Sequence, residues 1–224
     1  VYKRQMSKDG GKVSALTINW ELRAAGTTYD IAGAVQMDKV QTSDVAGVVS
    51  SHEGFGSGAF ASRGLDADSP CAVIPFFNRT EELLSASNTW KGQPAAAIRK
   101  HTTTVTFSQP VDIASVLDSE MNFFIAPKQR TSEIHMPGYA PTASGIIGKG
   151  SFLPSDPYKF FVTEGDQAKN NYMMWALMIP GEFRYPAETN DIRGVYEYFM
   201  AWASSNGAEH AEWYLESADA GRIY

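Results

Sequence analysis

The sequence predicts a mainly β protein, an antiparallel β-sandwich of jelly-roll or Ig-like type, with one amphipathic helix near the C-terminus packed on it. Three observations predict it. Apolar and polar residues alternate through much of the chain, as in half-buried antiparallel strands. Short apolar runs are punctuated by Pro, Gly, Asn and Ser, which break strands and supply turn geometry. One late segment alone switches to a helical period.

The clearest strand is VSALTINWELR, where Leu16, Ile18, Trp20 and Leu22 fall on one face and Thr17, Asn19, Glu21 and Arg23 on the other. Ile31, Val35 and Met37 continue the pattern in YDIAGAVQM. SSHEGFGSGAFASRG follows and reads as a long surface loop, with GFGSG its mobile part. In HTTTVTF, His101, Thr103, Val105 and Phe107 oppose Thr102, Thr104 and Thr106. MNFFIAP, YKFFVT and YMMWALMIP are further strand candidates, so that seven or more strands occupy most of residues 10–180. From Asn190 to Asn206, Ile192, Val195, Tyr196, Phe199 and Ala203 recur at helical spacing. Thr189 or Asn190 can cap that helix, Asp191 suits its positive end, and Gly207 can terminate it in the left-handed region. Four turns are predicted near 191–205, with the stripe docked on the sandwich and extended by Trp213, Tyr214 and Leu215.

With 224 residues, 43% of them hydrophobic, the chain can bury one large core, and no linker divides it. One domain is expected over 6–224. VYKRQ, residues 1–5, reads as a non-native scar or a strand end and is left out of the functional reading. The net charge is −6, acids and bases are interspersed and no Lys/Arg cluster exists, which argues against nucleic acid or anionic membranes as partners. No apolar run approaches the roughly 18 residues of a membrane span, so no direct membrane insertion is expected. The lone cysteine, Cys71 in CAVIPFF, reads as a buried inert thiol.

Searches for chemistry mostly fail. The histidines, at 52, 101, 135 and 210, have neither i, i+4 pairing nor cysteine partners, and no zinc site follows from local spacing. GFGSG matches neither a phosphate loop nor a nucleophile elbow. Asp66 and Asp68 have the spacing of a calcium loop but lack its remaining ligands. Asn78-Arg79-Thr80 fits a glycosylation sequon, although Thr80 reads better as the cap of a helix start before Glu81 and Glu82. Neither catalytic nor metal-ligating residues are assigned.

Three residues stand out as ligand-binding candidates: Trp90, His135 and Tyr139. In EIHMPGYAPT, Ile134 and Met136 alternate with Glu133 and His135 before Pro137-Gly138 ends the strand. On an architectural reading His135 points outward and Tyr139 packs over the strand's end. On a functional one the two form part of a rim that contacts a ligand. Trp90 lies in the polar context SNTWKGQP, where it is either a loop anchor or an exposed platform for a sugar ring.

MNFFIAPKQRTSEIHMPGYAPT, MMWALMIPGEFRYPAETNDIRGVYEYFMAWASSNG and EWYLESADAGRIY, in that order and spacing, resemble the LruC-type C-terminal domain of bacterial cell-surface and outer-membrane lipoproteins of Bacteroidetes and spirochaetes. ALTINWELRAAG and VDIASVLDSEMNFFI carry the likeness more weakly. The resemblance implies a cell-surface, outer-membrane or periplasmic location in a Gram-negative bacterium and a non-enzymatic, adhesion-like or recognition role. It also implies an acidic D-x-D-x-N-D-x-V segment before the first strand, whose carboxylates suit calcium; that segment is absent here, and truncation upstream of Val1 would explain it. No cofactor is assigned to this chain. Two function classes are expected to compete: a module binding a glycan, matrix protein or envelope protein, and a polysaccharide hydrolase with two carboxylates from separate strands.

Overall fold

A computed structural model describes residues 2–26, 29–87, 89–90, 92, 96–136, 139–145, 161–163, 171–173, 176–205 and 207–224. Two four-stranded antiparallel sheets pack face to face. The first has the order β1 (Tyr2–Asp9), β2 (Lys12–Trp20), β6 (His101–Asp112), β4 (Val45–Ser50). The second has the order β5 (Cys71–Phe77), β3 (Ile31–Gln41), β7 (Met121–Pro127), β8 (Ile134–His135). With β5 set aside, this is the ABED and CFG arrangement of an Ig-like sandwich, and β5 is an extra strand beside the C position. Residues 2–5 form the first half of β1, with Tyr2 opposite Trp20 and Gln5 opposite Thr17.

The predicted alternation positions the core. Leu16 and Ile18 from the first sheet meet Val35, Met37 and Ile74 from the second, all fully buried. Trp20 ties the layers together. Its ring centroid lies 5.2 Å from that of Phe76, and its Nε1–H donates to Thr103 Oγ1 at 2.9 Å.

The two sheets differ on their outer faces. That of the second sheet carries Ala32, Ala34, Val73, Phe124 and Ala126, too apolar to face water, and residues from the 51–70 loop cover it with Phe55, Ala59 and Phe60. Burial of Phe60 alone contributes roughly 2–3 kcal/mol. Asn78 fastens this cover: its Nδ2 donates to the carbonyls of Gly56 and Phe60, each at 2.8 Å, and its Oδ1 accepts from Phe60 N–H at 3.0 Å. A β-carbon at Gly58 would lie 2.8 Å from the Asn78 side chain, so the chain passes where only glycine fits. The loop expected to be mobile is therefore a packed lid, and the sequon's Asn78, 1% exposed, is its clasp. Thr80 caps nothing; Thr80–Glu82 is a 3₁₀ turn that follows Arg79. Among the described residues, the outer face of the first sheet carries Ala15 and exposed Val49 between polar side chains and contributes to no apolar cluster.

Three expectations are corrected. Among the described residues the strand candidates beyond β8 add no strand to either four-stranded sheet: β9 (Phe161–Thr163) and β10 (Asn171–Met173) pair with each other, and residues 158–160 and 174–175 of those candidates lie outside the described residues. Nor is there a four-turn helix. Asp191 caps a single turn, α1 (Ile192–Val195), by accepting from Arg193 N–H at 2.9 Å. Tyr196 is then extended, at φ −114° and ψ 113°, before α2 (Phe199–Ser204). The cause is competition from the returning chain: Tyr196 bridges Ala218, Asp219 N–H takes the Val195 carbonyl at 2.9 Å, and the Tyr196 hydroxyl donates to Arg184 O at 2.5 Å. Gly194 resists this break weakly, because glycine is a poor helix former. Gly207 does end the segment with φ 84°, its N–H reaching Trp202 O at 2.9 Å. The helical stripe does not dock on the sheets. Val195, Tyr196, Phe199 and Trp213 form a separate aromatic cluster with Phe183 and Trp202 from the same C-terminal region. That region reaches the sandwich through polar contacts such as Glu188 N–H to Thr89 O at 2.7 Å.

Candidate functional site

His135 is buried, at 8% exposure, which corrects its outward placement. Its side chain lies on the outer face of the second sheet, where it stacks on the Phe124 ring at 4.7 Å. The polar face of a strand normally meets water, but here the chain after β8 folds back over it. Ala140 O accepts from Asn122 Nδ2 at 2.8 Å, and Thr142 N–H donates to Glu133 Oε2 at 2.8 Å.

Glu133, 2% exposed, is the centre of this cluster. Its carboxylate accepts from Arg130 Nη1, from His135 Nε2 at 2.8 Å, and from both the backbone N–H and the hydroxyl of Thr142. Burial pushes the carboxyl up, but the bonds from His135 and Thr142, with the Arg130 guanidinium, outweigh burial and hold it below its ordinary value. Arg130 also pairs with Asp66 at 3.0 Å and lies over the Phe60 ring at 4.9 Å, joining the cluster to the 51–70 lid. Asp66 is thus engaged by a cation. His135 Nδ1 meets Asn122 Oδ1 at 2.7 Å, and Asn122 in turn reaches Asp38 at 3.5 Å.

Carboxylate, imidazole and amide in series resemble a proton relay, yet the relay ends nowhere. Both ring nitrogens of His135 are bonded inside the protein, and among the described residues the nearby hydroxyl, that of Thr142, donates to Glu133. The cluster is a latch that joins β7, β8, the lid and residues 140–142. Among the described residues no three His, Cys, Asp or Glu side chains stand close enough to hold a metal ion.

Tyr139 is half-buried beside this latch, and its hydroxyl donates to Asp118 O at 3.3 Å. Burial, followed by Asp38, Glu120 and Asp118, pushes the phenol up, so it remains neutral. Neighbouring Tyr2 is pushed up to about 12 by burial and Asp118. The acids here have cations of their own: Arg4 meets Asp118 at 2.6 Å and Lys39 meets Glu120 at 2.9 Å. Pro137 and Gly138 lie outside the described residues. Trp90 is 46% exposed, next to buried Thr89, whose hydroxyl donates to Glu188 at 2.9 Å. Among the described residues no hydrogen bond or ring contact joins Trp90 to His135 or Tyr139. At the far end of the sandwich, His52 and His101 lie 4.9 Å apart beside Trp20. His52 reaches Glu82 at 3.4 Å, and burial, His52 and Arg99 hold His101 below its ordinary value.

Sequence reasoning missed Asn122, Arg130, Glu133 and Thr142. One signal was present: Glu133 and His135 are two apart and so share a strand face, where an acid and an imidazole can bond to each other.

The fold and these internal clusters define an Ig-like sandwich module with a buried Glu133-centred polar cluster. The chain belongs to the DUF4842 family, a domain of unknown function whose model matches residues 11–214. It is also similar, over 97% of its length and with 16% identity, to a crystal structure from Bacteroides ovatus, provisionally named a lipoprotein, at a TM-score of 0.66. The match spans 66% of that longer chain. No curated protein matches. Among the described residues no helix is long and apolar enough to cross a membrane.

Proposed function

We propose that this domain is a non-enzymatic recognition module of the Gram-negative cell envelope, displayed at the outer membrane or in the periplasm, where it engages a glycan, a matrix protein or a neighbouring envelope protein. The observation that carries the reading is the Glu133 latch: the most deeply buried carboxylate among the described residues and its histidine are saturated by internal donors and acceptors, which leaves neither to act on a substrate. The envelope location is supported by the likeness to the Bacteroides ovatus lipoprotein fold and by the resemblance to LruC-type domains. The adhesion-like role and the calcium of a parent protein rest on that resemblance alone.

The test is to incubate the purified chain with a panel of polysaccharides, with and without calcium, and to follow retention and reducing ends together. Retention without new reducing ends is expected. Sustained release of reducing ends, abolished by one carboxylate substitution, would overturn the reading.

A further inference from the structure

We infer that the uncovered outer face of the β1-β2-β6-β4 sheet is the binding surface, and that its ligand is an extended neutral polysaccharide. This rests on the recognition reading above and names its ligand class.

The strand registers build the face in rows. Asn19 lies opposite Thr102, Thr17 opposite Thr104, and Ala15 opposite Thr106, with β1 supplying Lys3, Gln5 and Ser7 on one flank. Val49, opposite Thr104 on β4, completes the central row and is 73% exposed. Lys3 is the one charged side chain in these rows, on a chain in which 20% of residues are charged. A face so poor in charge offers nothing to a nucleic acid, an anionic lipid surface or a strongly charged protein.

Its size narrows the partner further. Strands stand about 4.8 Å apart and residues rise about 3.4 Å each, so the rows cover roughly 14 by 14 Å between Cα positions. A stable protein interface buries about 800 Å² of accessible surface on each side, more than the side chains of these rows expose. A second copy or a folded partner would have to reach well beyond this face, whereas a few sugar units laid across the strands fit within it.

The side chains suit such a ligand. Hydroxyls donate and accept, as sugar hydroxyls do, and they are already oriented: Thr17 Oγ1 and Thr104 Oγ1 share a hydrogen bond of 3.2 Å, and Thr102 Oγ1 donates to Asn19 Oδ1 at 3.0 Å. β-Branched threonines have restricted χ1, so little side-chain freedom is lost on binding. The threonine methyls, Ala15 and Val49 supply apolar spots for sugar C–H faces. The opposite sheet, by contrast, buries its outer face beneath its own lid.

Affinity electrophoresis of the full chain in gels containing galactomannan, xyloglucan, laminarin or pullulan tests the inference, with alginate and heparin as anionic arms. At least one neutral polymer should retard the protein. The double substitution Thr17→Ala/Thr104→Ala should weaken that retardation by about tenfold, the equivalent of two modest hydrogen bonds. Thr104→Ser, which keeps the hydroxyl, should retain most of the retardation, and thermal melts verify that all variants fold. The inference is overturned by retardation in the anionic gels alone, by none in the neutral gels, or by unchanged retardation of the double variant. Retardation lost only in Trp90→Ala would overturn it while leaving a recognition module that uses another surface. Accumulating reducing ends in the gel would instead remove the recognition reading itself.

Discussion

Replacing Glu133 with Gln keeps the shape of the side chain and removes the charge on which the latch converges. The carboxylate accepts four hydrogen bonds, from Arg130, His135 and twice from Thr142, with its side chain 1% exposed. A neutral amide cannot accept from all four, and its own NH₂ points at donors. Arg130 keeps only Asp66 as an ionic partner. Removing one partner of a buried ion pair costs about 3–5 kcal/mol. At about 2–4 °C per kcal/mol for a chain of this size, the melting temperature should fall by roughly 6–20 °C at pH 7. Calorimetry and urea titration measure it. The pH dependence gives a second check. A carboxyl held below its ordinary value of 4.5 contributes its full stabilisation above that pH and loses it as pH falls through the folded value. Wild type should therefore lose stability on acidification below pH 4.5, and the gap between wild type and Glu133→Gln should narrow over the same interval. A cost below about 1 kcal/mol at neutral pH, or a gap that is constant down to pH 2, would refute the buried charged latch.

His135→Gln should cost about 1–3 kcal/mol by urea unfolding, since Asn122 and Glu133 each lose a partner inside the protein; a neutral result would put the ring back in solvent. Asn78→Ala should release the lid, with rapid proteolysis within residues 53–63 and a loss of about 1–3 kcal/mol, while unchanged protease resistance would show that apolar packing alone holds it. Phe199→Asp, in the aromatic cluster, should cost several kcal/mol, and exposed Glu197→Ala less than about 0.5 kcal/mol; equal effects in denaturation would mean that the stripe is misassigned.

How much of this was legible follows from which interactions are local. Period-2 alternation marked the inward residues of β2 and β6 correctly, because Leu16, Ile18, Trp20 and Val105 obey a rule that needs only one strand and one core. The Ig-like strand order, not the alternation, chose between the two sandwich types left open. The helical period near 190–205 was real, and Phe199 and Ala203 are buried as it requires. Its continuity was not local, since Ala218 and Asp219, more than twenty residues on, capture Tyr196 and Val195 and split the helix.

The sequence by itself determined that this chain makes half-buried antiparallel strands, where most inward positions fall, and that Gly207 closes the last helix. Only the tertiary structure decided which polar faces are truly outside. Glu133 and His135 have the same alternation as Thr17 and Asn19, yet one pair is sealed beneath residues 140–142 and the other is only half-buried. Alternation separates the two faces of a strand but carries no information about what packs over each, because that depends on where distant chain segments return. The lid of the second sheet, the latch that holds it, and the bare threonine face of the first sheet are all consequences of that return.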